Sequence, residues 1–151
     1  MKIWKNAVLF YLGGCIYMAL ELLFRGRTHG SMFLAGGACF LLLGLLGRAR
    51  PRLPGPLLPI AGALIVTAVE LAVGLAVNRD WTVWDYRGQW GNFCGQICPL
   101  FTMLWIPVSV LAMGLYEFLE PRLDLGLPVV PRDCTTGIPF GHHTGVRTGS
   151  Q

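Results

Sequence analysis

Residues 57–77 read LLPIAGALIVTAVELAVGLAV, an unbroken apolar run in which Glu70 is the only charged side chain. A bilayer core is spanned by about 20 apolar residues in a helix, so this stretch is long enough to cross one. Lipid offers the backbone no hydrogen-bond partner, and a helix satisfies its own amides. The run therefore predicts a membrane helix, and the rest of the chain repeats the pattern.

Three further runs come close to the same length: Ala7 to Phe24, Ser31 to Gly47 and Ile97 to Tyr116. The whole chain is 54% hydrophobic and only 13% charged, with a mean hydropathy of +0.55. A water-soluble domain carries about 25% charged residues, too many more for this chain to cover a globule in water. The expectation is an all-α integral membrane protein, a bundle of four transmembrane helices over residues 1–120, with an aromatic outer loop. Residues 121–151 are rich in Gly, Thr and Pro without a periodic face and read as a disordered tail.

Charge asymmetry sets the expected orientation. Lys2, Lys5, Arg48, Arg50, Arg52, Arg122, Arg132 and Arg147 fall on one side, against Arg25, Arg27, Arg79 and Arg87 on the other. The positive-inside rule then puts both termini in the cytoplasm of a cell-membrane protein and faces the loop between spans three and four outward. The net charge of +4 is explained by this bias, and no basic cluster interleaves with aromatics to suggest nucleic acid. LGGC at 12–15 has the form of a lipoprotein processing site, but the apolar run continues past Cys15 as IYMAL, which argues for a span.

The links and faces carry further expectations. RGRTHG at 25–30 predicts a tight outer turn, and the proline-rich RARPRLPGPLLP predicts a stiff inner connector. ALEL at 19–22 and AVEL at 68–71 align with Gly13 on Gly62, consistent with two hairpins in parallel repeat. Gly36, Gly37, Gly44 and Gly47 of the second span suit close packing against another membrane protein. Pro107, Thr102 and Ser109 in the fourth span read as an ordinary membrane-helix kink.

Two carboxylates sit inside the first three spans. Glu21 lies four residues before Arg25, on the same helix face, and predicts an ion pair at the outer boundary. Glu70 lies deeper, on a small and polar face formed by Ala63, Thr67, Gly74 and Asn78. It either pairs across helices with Arg25, His29 or Arg79, as a lock on the bundle, or stays protonated because burial disfavours the charged form, as a proton or cation site.

The outer loop, VWDYRGQWGNFCGQIC, is the remaining concentration of chemistry. Trp81, Trp84 and Trp90 suit a lipid headgroup boundary. Asp85, set between Trp84 and Tyr86, is expected to dock on Arg25 or Arg27 and fold the loop over the bundle. Cys94 and Cys98 carry no metal-site spacing, and a disulfide between them is left open. The His142 and His143 pair is a weak metal candidate; the expectation is no metal and no cofactor.

These stretches resemble a known family. ELLFRGRTHGSMFLAGGACFLLLGLL, VELAVGLAVN and VWDYRGQWGNFCGQICPLFTMLW are similar to small bacterial multi-pass proteins grouped as ABC-transporter permeases, over roughly residues 7 to 118. The most specific element is Trp84, Asp85 and Tyr86, followed by Asn92 and then Gly95, Gln96, Ile97 and Cys98. The resemblance implies membrane transport of an unspecified substrate, with any ATPase on a separate chain because no phosphate-binding loop motif is present. The candidate functional residues are Glu70, Glu21, Arg25, Asp85, Trp84, Tyr86, Asn92 and Gln96. Expected partners are the lipid bilayer and a second copy or another membrane protein. Two other classes stay open: a non-catalytic membrane scaffold, and an intramembrane enzyme using Glu21, Glu70, Asp85 and His29 as acid and base groups, for which no nucleophile motif is present.

Overall fold

The computed structural model describes residues 2–49 and 54–125. It contains four helices, α1 (Lys2–Arg25), α2 (Gly30–Arg48), α3 (Leu57–Val77) and α4 (Pro99–Leu125), all long and apolar enough to cross a membrane. The all-α, four-span architecture expected from the hydropathy is the one observed. Among the described residues the sole β pairing is an isolated bridge between Phe93 and Ile97 in the loop. The expected metal candidates His142 and His143, and Arg50 to Leu53 of the inner connector, lie outside the described residues.

The helix ends follow local chemistry. Gly26 ends α1 in the left-handed region at φ +67°, and its N–H donates to Leu22 O. His29 caps α2, its ring nitrogen accepting from the Ser31 N–H at 3.2 Å. Pro56 and Pro59 fall at the start of α3, where a missing N–H costs nothing because the first turn has no acceptors for it. The fourth span differs from the sequence expectation of 97–116 at both ends. Ile97 is held back by its bridge to Phe93, so the helix starts at Pro99; it then runs on to Leu125, because Tyr116 packs on Phe40 and Glu120 takes ion pairs from Lys5 and Arg48.

The four helices run alternately up and down, with α1 packed chiefly on α2 and α4 chiefly on α3. α2 is the axis: it touches every other helix and contributes to each buried cluster, Met32 and Ala35 near the loop end, then Cys39, Phe40 and Leu43. α1 touches α4 much less, and α3 least of all.

The glycines of α2 explain this close approach. A Cβ on Gly36 would strike the Tyr17 side chain and lie 2.9 Å from Gly13 O, and one on Gly37 would lie 2.7 Å from Phe10 O. Gly44 is covered by the Tyr116 ring and Gly47 by Glu117. The expectation that this face binds a second membrane protein is therefore corrected, since α1 and α4 already occupy it.

Substitution of Gly36 by Val should force α1 off α2, because the opposing atoms are Tyr17 Cβ, which moves only with its backbone, and the Gly13 carbonyl oxygen. Overpacking of this kind costs about 1–3 kcal/mol, read as a clear fall in the apparent melting temperature of the detergent-solubilised protein. Gly30→Val, in open space at the helix start, should leave the melt almost unchanged.

Candidate functional site

The site forms where α1, α3, α4 and the 78–98 loop converge. α3 buries one stripe, Gly62, Ala63, Val66, Thr67, Glu70 and Gly74, and exposes Leu64 and Leu75. Each polar member of that stripe meets a partner on a neighbouring element. Thr67 donates to Thr102 at 3.2 Å, Gly62 abuts Ser109, and Gly74 lies under Gln96 and Trp84.

Glu70 is 7% exposed and accepts from two neutral donors. The Tyr17 hydroxyl of α1 donates to Oε1 at 2.7 Å, and the Trp105 indole N–H of α4 donates to Oε2 at 2.9 Å. The two rings stack on each other with centroids 5.8 Å apart. Of the two alternatives left open for Glu70, the cross-helix ion pair with Arg25, His29 or Arg79 is not made. Arg25 serves Glu21, His29 caps α2, and Arg79 donates to its own helix at Leu75 O.

Glu21 is satisfied locally. Arg25 Nη1 donates to its Oε1 at 2.8 Å and Thr28 Oγ1 to its Oε2 at 2.8 Å. The other end of the Arg25 guanidinium donates to Val83 O, which ties the loop to the end of α1.

The loop is folded around a buried amide. Asn78, fully buried, donates through Nδ2 to Trp84 O at 2.7 Å and to Gln96 Oε1 at 2.9 Å, while its Oδ1 accepts from the Val83 N–H at 2.9 Å. Gln96 returns a bond from Nε2 to Asn78 O at 2.9 Å, and the Trp84 indole donates to Gln96 O at 2.9 Å. No buried side-chain nitrogen or oxygen among the described residues lacks a partner. Trp84, 4% exposed, is thus a core residue of the loop; the expectation that it sits at the lipid boundary is corrected. Trp90, at 88% exposure, keeps that role open.

Asn92 and Asp85 shape the loop from outside. Asn92 Oδ1 accepts from the Gly95 N–H at 3.1 Å and its Nδ2 donates to Gln89 O at 2.9 Å; Gly95 O accepts from the Tyr86 N–H at 3.0 Å. Gly91 and Gly95 take the left-handed conformation these turns need, at φ +68° and +66°. Asp85 does not dock on Arg25 or Arg27: it is exposed and accepts from Arg87 Nη2 at 2.7 Å and Nε at 2.9 Å. A partner two residues away is reached at a much smaller entropic cost than one on another helix. Arg87 in turn lies 4.2 Å above the Trp81 ring. Cys94 and Cys98 are both free thiols, one exposed and one buried.

A cavity of about 220 Å³ opens beneath this loop between α1 and α4. Of the residues singled out from the sequence, it brings together Glu70, Glu21, Arg25, Trp84 and Tyr86. Gln96 stands behind Trp84, and Asn92 and Asp85 lie outside the cavity. Burial, then the nearby Glu70 charge, holds the Tyr86 hydroxyl above its ordinary ionisation range, so it is a neutral wall of the cavity, stacked on Phe101 at 4.6 Å. The four groups considered for acid-base catalysis are split, since neither His29 nor Asp85 lines this space. Among the described residues no group of three or more His, Cys, Asp or Glu could hold a metal ion.

Sequence reasoning missed Tyr17, Trp105 and the central role of Asn78. A signal existed for the first two: each carries a polar atom on an aromatic ring well inside a span, and such an atom needs a buried partner.

A four-helix apolar bundle with a carboxylate-bearing cavity beneath a hydrogen-bonded loop defines a small multi-pass membrane protein. The chain belongs to the family described as Putative ABC-transporter type IV, whose model matches residues 8–136. That match runs beyond residue 118, where the resemblance read from the sequence ended. No curated protein and no solved structure matches the chain.

Two outcomes test this geometry. Asn78→Ala would leave the Val83 N–H, Trp84 O and Gln96 Oε1 without their partner, at about 1–3 kcal/mol for each buried group. Hydrogen exchange at the Val83 amide should then rise at least about tenfold. Arg87 hydrogen bonds lower the Asp85 carboxyl from 3.8 to about 2. The loop stabilisation from Asp85 is therefore complete above pH 3.8 and is lost as pH falls through about 2. Carboxyl ¹³C NMR should show that midpoint, and Arg87→Gln should return it towards 3.8.

Proposed function

We propose that the chain is a membrane-transport subunit in which Glu70 is the residue that binds the transported group or its coupling proton. The observation that carries this reading is the pairing of Glu70: a buried carboxylate in a cavity, held by a tyrosine and a tryptophan and by no basic side chain among the described residues. An ion pair that only locked the bundle would neutralise it, as Arg25 neutralises Glu21. Intramembrane carboxylates are costly and mark substrate or proton pathways when they face a cavity.

The proposal includes an orientation and a partner. The positive-inside bias places the Lys5, Arg48 and Glu120 end in the cytoplasm and the 78–98 loop outside, in the cell membrane. Nucleotide hydrolysis is assigned to a separate ATPase chain, and a second copy or another membrane protein completes the path, because four helices enclose little more than the cavities between them.

Reconstituted into liposomes, the Glu70→Gln variant should keep the parent melting temperature within a few degrees and lose uptake or proton flux. Normal flux in that variant would end the proposal.

A second reading, a non-catalytic membrane scaffold, draws on the exposed apolar face of α4, where Leu100, Met103 and Leu111 have no partner in the bundle. Purification from native membranes separates the two, since a scaffold copurifies with a fixed partner while Glu70→Gln leaves that association intact.

A further inference from the structure

The cavity beneath the loop does not end at Glu70. On the far side of the stacked Tyr17 and Trp105 rings lies a second space of about 250 Å³, again between α1 and α4. Tyr17, Leu20, Trp105 and Val108 line both. The two chambers differ in chemistry. The second is walled by Ile16, Cys39, Leu43, Val66, Leu111 and Ala112 and holds no ionisable acid or base beyond a thiol and the shared Tyr17 phenol, whereas the first holds two carboxyl groups, Glu21 and Glu70, against the single guanidinium of Arg25.

We infer that the paired chambers take an amphiphilic organic cation, with its ammonium group in the first, against Glu70 and the aromatic walls, and its alkyl tail in the second. The inference rests on the transport reading of the same site and names its substrate class.

Three observations converge on that ligand. Glu70 uses two of the roughly four acceptor positions of a carboxylate, one on each oxygen, and neither goes to a cation. Around it stand Tyr17, Trp84, Tyr86, Phe101 and Trp105, two of them stacked on each other and another two likewise. Aromatic faces with a nearby carboxylate are the recognition chemistry of alkylated ammonium groups. A small hydrated metal cation would need several oxygen ligands instead, and no such group of acidic residues exists among the described residues. Finally, each chamber alone is smaller than the roughly 300 Å³ of an ordinary ligand pocket, while the two together reach it, which favours a ligand with a head and a tail.

The test uses the full chain in phosphatidylglycerol nanodiscs, with empty discs subtracted and tryptophan fluorescence as the readout, since Trp84 and Trp105 line the head chamber. Decyltrimethylammonium should bind saturably, and both 1-decanol and tetramethylammonium at least about tenfold more weakly. Glu70→Gln should weaken decyltrimethylammonium about tenfold and leave decanol unchanged. Tyr86→Leu, which keeps the carboxylate, should weaken the cation by several-fold in the same direction. Ala112→Leu, which fills the tail chamber, should abolish the advantage of the decyl chain over tetramethylammonium. Equal binding of decanol and decyltrimethylammonium, or undiminished cation binding in folded Glu70→Gln, would overturn the inference. Cation binding without flux would sink the transport reading alone, and Glu70-dependent flux without cation binding would sink this inference alone.

Discussion

A carboxylate placed inside an apolar bundle must find hydrogen-bond donors there, because lipid and packed side chains supply none. Glu70 finds one on α1 and one on α4, and this single requirement draws together two helices that otherwise touch little. Tyr17 and Trp105 reach it from opposite sides and stack where they meet. The stack divides the space between α1 and α4 into a polar chamber at the loop end and an apolar chamber beyond it. Remove the carboxylate from this position and neither ring has a reason to turn inward.

The loop solves a different problem, how to close one end of the bundle without leaving amides unpaired. Asn78 continues the buried stripe of α3 by one turn and presents both a donor and an acceptor to the chain that follows. Gln96 does the same from the entry to α4, and the two amides exchange bonds across the cap. The stretch from Trp84 to Cys98 that resembles a family pattern is in these terms a set of fasteners: Asn92 holds Gly95, Gly95 holds Tyr86, and Gln96 holds Trp84 and Asn78. A pattern of this kind preserves the roof of the cavity rather than its contents. The residues that meet the cavity are Trp84 and Tyr86, whose backbones the fasteners fix.

How much of this could be read from the sequence follows from the range of each interaction. The spans were legible because each is decided by its own hydropathy, and α3 was read to its observed ends since Pro56 and Asn78 bound it. The packing face of α3 was legible from its 3.6-residue period, and the Glu21 and Arg25 pairing from their spacing of four. The partners of Glu70 were not, because Tyr17 lies 53 residues away and Trp105 lies 35 away, and a polar atom on a ring inside a span marks the need for a buried partner but not which one. The end of α4 was missed for a similar reason: its last two turns are held by Phe40, Lys5 and Arg48 from the other helices. Asp85 shows the opposite case, since the arginine two positions on takes it rather than one across the bundle.

The weak contact between α1 and α4 carries the last step. Four of the helix pairings are close, and the α1 and α2 crossing is fixed by glycines packed against carbonyl oxygens and side chains of the opposing helix. Widening of the groove between α1 and α4 would break none of those four pairings. Both chambers lie along that groove, and its rims, Leu20 and Phe24 on α1 and Leu104 and Leu111 on α4, are exposed and apolar. For the amphiphilic cation proposed above, this groove offers a way to Glu70 from within the membrane, sideways between α1 and α4, with the loop left closed. The bonded cap and the sparse groove are complementary: the Asn78 and Gln96 amides fix the roof of the polar chamber, and the proposed entry lies below them.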